Sequence, residues 1–439
     1  MARVEGTPRN FLFTTWEGGG SVTPALTVVR KLVARGHRVR VMSDRCNRPE
    51  AEAAGAVFRP WTRAPSRLDR SRDTDLLRDW DVDEPRQGLM RLVEKIMAGP
   101  ALFYAQDVIE ELKREPADLV VSSEILPGVA AGCEYLGQRF ALLAVNLSLF
   151  PLPGIPPLGP GLAPPRNDEE GALHEEIRRA TVALWDSGLS ALNAAREALG
   201  LDPLASVRDY RHRAERFLMA TSRAFDFAPP VLASDIRYVG PQLGEPAWAA
   251  PWASPWPSDD RRPLVAVCFS TSFQNHITVL QRIIDAVAMQ PVRAVVTLGD
   301  TISSGELHAA ENVVLVHSAP HDALMQEADL VVTHGGHGTV LRALAHCRPI
   351  LIIPHGRDQH DNAIRVTERG AGLSLPTGAR MEQIASAIHA LLTQPSFAEA
   401  AASLGGAVAQ EIENSPVVAE LEELAGCPLP TAERQLCVA

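Results

Sequence analysis

Apolar and polar positions fall into a strand–helix alternation that runs through both halves of the chain. Phe11-Leu12-Phe13-Thr14-Thr15 is a short apolar run followed by Gly18-Gly19-Gly20. Thr23-Pro24 then opens a helix, with Thr expected as N-cap and Pro in the first turn, where its missing N–H does no harm. Leu26, Val29, Leu32 and Val33 recur on one face of that helix, and Gly36 stands where it should end. Residues 37–42 read as the next strand. A strand, a helix and a second strand in that order predict a parallel sheet. The same grammar returns with strands at 118–121 and 140–147 around a helix at 127–136. Residues 168–200 are helical by composition. Residues 150–165 carry seven Pro and three Gly, which excludes helix and central strand and predicts a loop.

Residues 239–263 are rich in Pro and Trp and have no period. They are expected to link two domains, and their three Trp fit a packed surface loop equally well. Beyond them strands are expected at 264–269, 293–298, 313–316, 330–333, 349–353 and 372–375, with helices between and an Ala-rich helical stretch at 381–425. The expected division is an N-terminal domain at 1–240, a linker at 241–262, a C-terminal domain at 263–425 and a tail at 426–439.

Bulk properties narrow the function classes. A length of 439 residues suits two or three domains, and 46% hydrophobic with 22% charged residues is ordinary for a globular protein. The net charge of -11 disfavours nucleic acid and anionic membranes as partners. An anionic substrate would then need a local device such as a helix N-terminus. The six Cys form no C-x-x-C pair or zinc-finger spacing, and most lie in apolar segments, as expected of reduced thiols in a cytoplasmic protein. Neither a secretory signal nor an apolar stretch long enough for a membrane span is expected.

Candidate chemistry concentrates in the second half. In residues 329–339 an apolar strand runs into His334-Gly335-Gly336-His337-Gly338-Thr339 and then a helix. Such a turn offers backbone N–H groups and the positive end of a helix dipole to a phosphate, with His334 and Thr339 as added donors. Alone, a Gly-rich turn is common and carries little weight. A second turn, His355-Gly356-Arg357-Asp358-Gln359, again follows a strand and opens a helix. Asp358 and Gln359 suit sugar hydroxyls, and helix capping by Asp358 or Asp361 is compatible with that use. Ser270 and Thr271 follow the strand at 264–269. Three polar turns at strand ends of one α/β domain converge on the crevice where such sheets bind ligands.

The order Ser270-Thr271, Ala319-Pro320-His321, His334-Gly335-Gly336-His337-Gly338-Thr339, Asp358-Gln359-x-x-Asn362-Ala363 resembles the donor-site signature of family-one glycosyltransferases, most of all the bacterial branch that decorates natural products. The resemblance covers nearly the whole chain, more loosely in the N-terminal half. It implies an α/β GT-B fold: two facing Rossmann-like domains, an interdomain cleft and a C-terminal helix. It implies an inverting transferase that uses no metal or cofactor and takes a UDP- or dTDP-sugar as co-substrate. His334, Thr339 and the backbone of Gly336, His337 and Gly338 would hold the diphosphate, with Ser270 and Thr271. Ser318, Ala319 and His321 would line the nucleobase pocket, and Asp358 and Gln359 would hold the sugar.

The chain departs from the family pattern in three places. Ser21 stands where the family carries a catalytic His, and a Ser hydroxyl is no general base near neutral pH without help. Ser123 stands where a supporting Asp is usual, with Glu124 beside it. The candidate replacement bases are Glu17 and Glu124; an already acidic acceptor such as a phenol, or attack through carbon, would need little base. At the nucleoside end, Ser318 replaces a stacking aromatic residue and Arg342 replaces a ribose-binding Glu.

The N-terminal domain is expected to bind a small hydrophobic, phenolic or polyketide-like acceptor. Its walls would be residues 61–80 and the loop at 150–165, whose Leu152, Ile155, Leu158 and Leu162 either line the pocket or pack on the domain surface. Arg59, Arg63, Arg67, Arg70 and Arg72, interspersed with Asp, read as a solvated surface. The protein is expected to act as a monomer or homodimer whose cleft closes through the linker. Alternatives are a nucleotide-sugar epimerase of similar fold and a nucleotide-sugar-binding pseudoenzyme that activates a true transferase.

Overall fold

Short runs of branched and aromatic residues build two parallel sheets in the computed structural model, which describes residues 7–82, 84–245, 252–269, 274–299 and 302–426. The first sheet comprises β1 (Asn10–Thr14), β2 (Arg38–Ser43), β3 (Val57–Pro60), β4 (Leu119–Ser123), β5 (Phe140–Ala144), β6 (Arg216–Met219) and β7 (Ile236–Tyr238), in the order β3-β2-β1-β4-β5-β6-β7. The second comprises β8 (Leu264–Cys268), β9 (Arg293–Thr297), β10 (Val313–Val316), β11 (Leu330–Thr333), β12 (Ile350–Ile352) and β13 (Gly372–Ser374), in the order β10-β9-β8-β11-β12-β13. Every strand pair is parallel.

Parallel strands are covered by helices on both faces, so β8 (Leu-Val-Ala-Val-Cys) is buried throughout. Alternation assigns each residue a side. Leu12 joins the core on one face of the first sheet, while Phe11 and Phe13 join the core on the other. The strand order reverses between β1 and β4 in the first sheet and between β8 and β11 in the second. At such switch points neighbouring crossovers leave in opposite directions and open a crevice at the strands' C-terminal edge.

Several expectations are corrected. The N-cap position of the helix Val22–Ala34 is Ser21, whose side chain makes no capping bond, and Thr23 lies inside the first turn. Strands β3, β6 and β7, which the expected strands omit, have only three or four residues each and mix Arg, Pro and Tyr with the apolar positions. The stretch at 381–425 is three helices, Met381–Thr393, Pro395–Glu413 and Val417–Gly426. The last of these departs from the expected domain boundary at 425. Its Val417, Leu421, Leu424 and Ala425 enter the first sheet's core beside Val28 and Leu32. Glu422 pairs there with Arg35 at 2.7 Å.

The linker is packed where it is described. Trp252 donates its indole N–H to Glu327 at 2.7 Å, and Trp252 and Trp256 rest on the second domain's core. Residues 246–251, with Trp248, lie outside the described residues, as do Ser270, Thr271 and 427–439. No described helix is long and apolar enough to cross a membrane.

Candidate functional site

The C-terminal edges of the two sheets face one another across a cavity of about 1080 Å³. From the first domain it is lined by the turn after β1, the residues after β4 and β5, and parts of 67–92. From the second it is lined by the turns after β8, β10, β11 and β12. Every expected site residue that is described lines this one cavity: Glu17, Ser21, Glu124, Ser318, Ala319, His321, His334, Gly336, His337, Gly338, Thr339, Asp358 and Gln359.

The turn after β11 depends on its glycines. Gly335 has φ +98°, and a Cβ there would sit 2.8 Å from Ile352 Cγ2 and 3.2 Å from the Gln359 carbonyl oxygen. A Cβ on Gly336 would meet His334 Nε2 at 2.7 Å, so the imidazole lies directly against the turn. The helix His337–Ala345 starts at once, and its first N–H groups have no partner within the helix. They present the positive end of its dipole to the cavity, where an anion is stabilised.

Three imidazoles gather around one ring. The centroid of Phe269 lies 5.7 Å from His276, 5.8 Å from His334 and 5.9 Å from His355. Burial holds His334 well below the usual imidazole range, helped by the neighbouring His276 and His355. Burial likewise lowers His355, and takes His276 down to about 4. Near pH 7 these rings are neutral, and each carries one N–H donor.

His337 joins this turn to the next. Its Nδ1 lies 2.9 Å from Asn362 Oδ1, while Asn362 Nδ2 donates to the Gly335 carbonyl at 2.9 Å and to Asp358 Oδ2 at 3.2 Å. With the amide so oriented, the ring proton belongs on Nδ1. Gln359 is almost fully buried, and its Oε1 accepts the backbone N–H of His355 (2.7 Å) and of Gly356 (3.2 Å). Its Nε2 donates to Gln274 at 2.9 Å. Gln359 therefore shapes the loop as well as facing the cavity.

At the far end Arg342 is buried in a polar knot. It donates to Glu245 at 2.7 Å and to the Gly244 carbonyl at 2.8 Å, and pairs with Asp322 at 2.5 Å. His321, also at this end, is pushed down to about 4 by burial and then by Arg342. The sequence offered no signal for Glu245, which lies in the linker, or for Gln274; only folding brings them to the site.

The three catalytic candidates have different surroundings. Ser21 donates to the Trp16 carbonyl at 3.3 Å. Glu17 is committed: one oxygen accepts the Gly19 N–H at 2.8 Å, and the other pairs with Arg70 Nε at 3.1 Å. Glu124 follows β4, is buried, and among the described residues its carboxyl has two long contacts, the Ser148 hydroxyl and the Leu149 N–H, both at 3.4 Å. Burial pushes its carboxyl up to about 8. Trp16, Leu89, Leu92, Ile125, Leu149 and Trp185 give this half of the cavity an apolar, aromatic wall.

The Pro-rich loop divides between its two expected roles. Leu158 lines the cavity, whereas Leu152 and Ile155 are buried in the first domain's core. The basic patch is not wholly solvated: Arg67 is buried, and Arg70 pairs with Glu17 and Glu50.

Residues 281–424 match the family model described as "Erythromycin biosynthesis protein CIII-like, C-terminal domain". The chain is 28% identical over 400 residues to 4'-demethylrebeccamycin synthase of Lentzea aerocolonigenes, covering 90% of this chain and 94% of that protein. It is 25% identical over 390 residues to demethyllactenocin mycarosyltransferase of Streptomyces fradiae, covering 85% and 77%. Among solved structures, the calicheamicin glycosyltransferase superposes with a TM-score of 0.74 at 20% identity over 96% of this chain and all of that one. The spinosyn rhamnosyltransferase complexed with thymidine diphosphate superposes with a TM-score of 0.62 at 18% identity over 94% of this chain and 100% of that one.

Fold and relatives together define a glycosyltransferase of GT-B fold. Residues 281–424 are thus similar to the C-terminal domain of erythromycin biosynthesis protein CIII-like proteins, and the relatives are natural-product glycosyltransferases.

Proposed function

We propose that the protein moves a sugar from a UDP- or dTDP-sugar to a small hydrophobic, phenolic or polyketide-like acceptor, inverting the anomeric centre without a metal or cofactor. The observation that carries this reading is the position of Glu124. It is a buried carboxyl with a raised proton affinity, on the acceptor side of a cavity whose other side is the His334–Thr339 turn.

In this reaction the acceptor hydroxyl gives its proton to the Glu124 carboxylate as its oxygen attacks the anomeric carbon. The bond from that carbon to the diphosphate breaks on the opposite face. The diphosphate leaves into the N–H groups at the start of His337–Ala345, with a neutral His334 as a further donor. Asp358 and Gln359 border the space for the sugar, and the knot around Arg342 borders the space for the nucleoside. Of the three catalytic candidates, Glu124 is favoured, because Glu17 is bound by Arg70 and the Ser21 hydroxyl donates to the Trp16 carbonyl rather than to a base. A proton acceptor placed in this way gives no support to a pseudoenzyme partner.

The test is a transfer screen by mass spectrometry with UDP- and dTDP-glucose against phenolic and polyketide acceptors. A product heavier by one hexosyl unit from either donor supports the proposal. Donor binding by calorimetry with no product across the panel would sink the assignment of donor sugar and acceptor class.

A further inference from the structure

The Pro-rich loop of the first domain crosses the cleft and is gripped by a carboxylate of the second. Asp361, on the helix Gln359–Thr367, is 1% exposed. Its Oδ2 accepts the Gly159 N–H at 2.8 Å, and its Oδ1 accepts the Gly161 N–H at 3.3 Å. The two backbones meet closely: Gly161 has φ +69°, and a Cβ there would lie 2.7 Å from the His360 carbonyl oxygen. A side chain at 161 would thus be strained and would push the loop off the helix. Leu158 of the same loop packs against the second domain's core, and Leu158, Gly159 and Pro160 line the cavity.

Among the described residues no cationic side chain pairs with this carboxylate. Arg365, one turn along, gives Nε and Nη2 to Asp226 and reaches Asp361 only at its backbone carbonyl, through Nη1. Arg365 attracts the carboxylate from a distance, Asp358 at the helix N-cap adds a like charge, and residues 158–162 of the loop carry no ionisable group. The two loop N–H groups are therefore the direct hydrogen-bond partners of the buried Asp361 carboxyl among the described residues, and they grip it most strongly in its ionised form. Hydrogen bonds to charged groups in such places are the strong ones.

The geometry points to Asp361 as a positioning residue that fastens the acceptor wall to the helix bearing Gln359, so that the acceptor pocket takes its final shape only against the donor domain. This inference rests on the transferase reading of the cleft. Asp361 touches no substrate in this role and acts through Leu158, Gly159 and Pro160.

Asp361→Asn tests it, because it keeps size and shape but offers one oxygen where the carboxylate offers two. Binding of dTDP and UDP alone, followed by calorimetry, should stay within about twofold of wild type, since the diphosphate turn is not touched. Hydrogen exchange of the loop amides at 158–162 should rise at least about tenfold, as expected for losing one charged hydrogen bond. With an acceptor that the enzyme turns over, acceptor KM should rise about tenfold with kcat changed less than about threefold. Unchanged exchange in the loop, or nucleotide affinity falling in step with acceptor KM, would overturn the inference and leave Asp361 as internal packing of the donor domain. Exchange and nucleotide binding are read without turnover. A failed transfer screen would therefore refute the proposed function while these two measurements still decide the role of Asp361.

Discussion

Arg365 and Asp226 form an ion pair between the two domains, with Nε and Nη2 of the guanidinium 2.9 and 2.7 Å from Oδ1 and both side chains at most 2% exposed. Tyr238 donates its hydroxyl to the other carboxylate oxygen at 2.7 Å. The ring of Phe227 lies 4.8 Å from the guanidinium carbons of both Arg365 and Arg369. Removing one partner of such a pair strands a buried charge, at a cost of about 3–5 kcal/mol. Arg365→Met should therefore lower the melting temperature clearly, and Asp226→Asn combined with it should recover part of the loss. Melts of the single and double variants that simply add would mean the two groups do not interact.

Glu124→Gln should leave dTDP and UDP affinity unchanged and reduce kcat by about 100-fold or more, the usual contribution of a general base. The wild-type pH profile should follow the carboxyl. Its ordinary value near 4.5 is pushed up to about 8, and only the ionised form accepts a proton. With an acceptor that does not itself titrate in the range, kcat/KM should climb with pH and level off above about 8. The Gln variant should give a flat profile. Full turnover in that variant would place the proton elsewhere.

The same residue should cost stability. Glu124, near 8, and Asp361, pushed up to about 7, both hold protons in the folded protein that the unfolded chain has already released. A native state that binds more protons loses stability as pH rises. The contribution of these two carboxyls should thus fall from about pH 5 to about pH 8 and then level. Buried neutral imidazoles such as His276 and His321 contribute in the opposite direction below about pH 6.5, so the Glu124 part is read from the difference between wild type and variant. Glu124→Gln should raise the melting temperature relative to wild type at pH 8 far more than at pH 5. An equal shift at both pH values would count against a buried, proton-holding Glu124.

His334→Ala and Gln359→Ala should weaken donor use through different routes. The first removes a donor from the diphosphate turn, and nucleotide affinity should drop about tenfold. The second frees the N–H groups of His355 and Gly356, so it should raise the KM for the whole nucleotide-sugar more than the Kd for the nucleotide alone. Circular dichroism should confirm that both variants are folded. Wild-type donor kinetics in both would remove these residues from the donor site.

The parallel βα architecture was legible because its signals are local. Apolar runs such as 264–269 and glycines such as Gly36 lie next to what they determine. The short strands β3, β6 and β7 were not, because their three or four residues mix Arg, Pro and Tyr with the apolar positions, whereas the equally short β11 and β12 are wholly apolar or nearly so and run into recognisable polar turns. The turns at 334–339 and 358–359 could be placed in one crevice from their position after strands. What separates Glu124 from Glu17 is invisible in sequence: one is buried with two long contacts, and the other meets Arg70 from 53 residues away. The grip of Asp361 on Gly159 spans 202 residues and has no sequence signature at all.

The helix Val417–Gly426 bears on how this protein could be recombined with its relatives. The chain enters the second domain near residue 245 and comes back before 417, so the half that carries the second sheet is an insertion, not a terminal module. A chimera made with one crossover would give the first sheet a foreign closing helix and would break the contacts of Leu421 and Glu422 with their own partners. Exchanging the second sheet and its helices between relatives calls for two junctions, with the last helix kept in the same parent as the strands it covers.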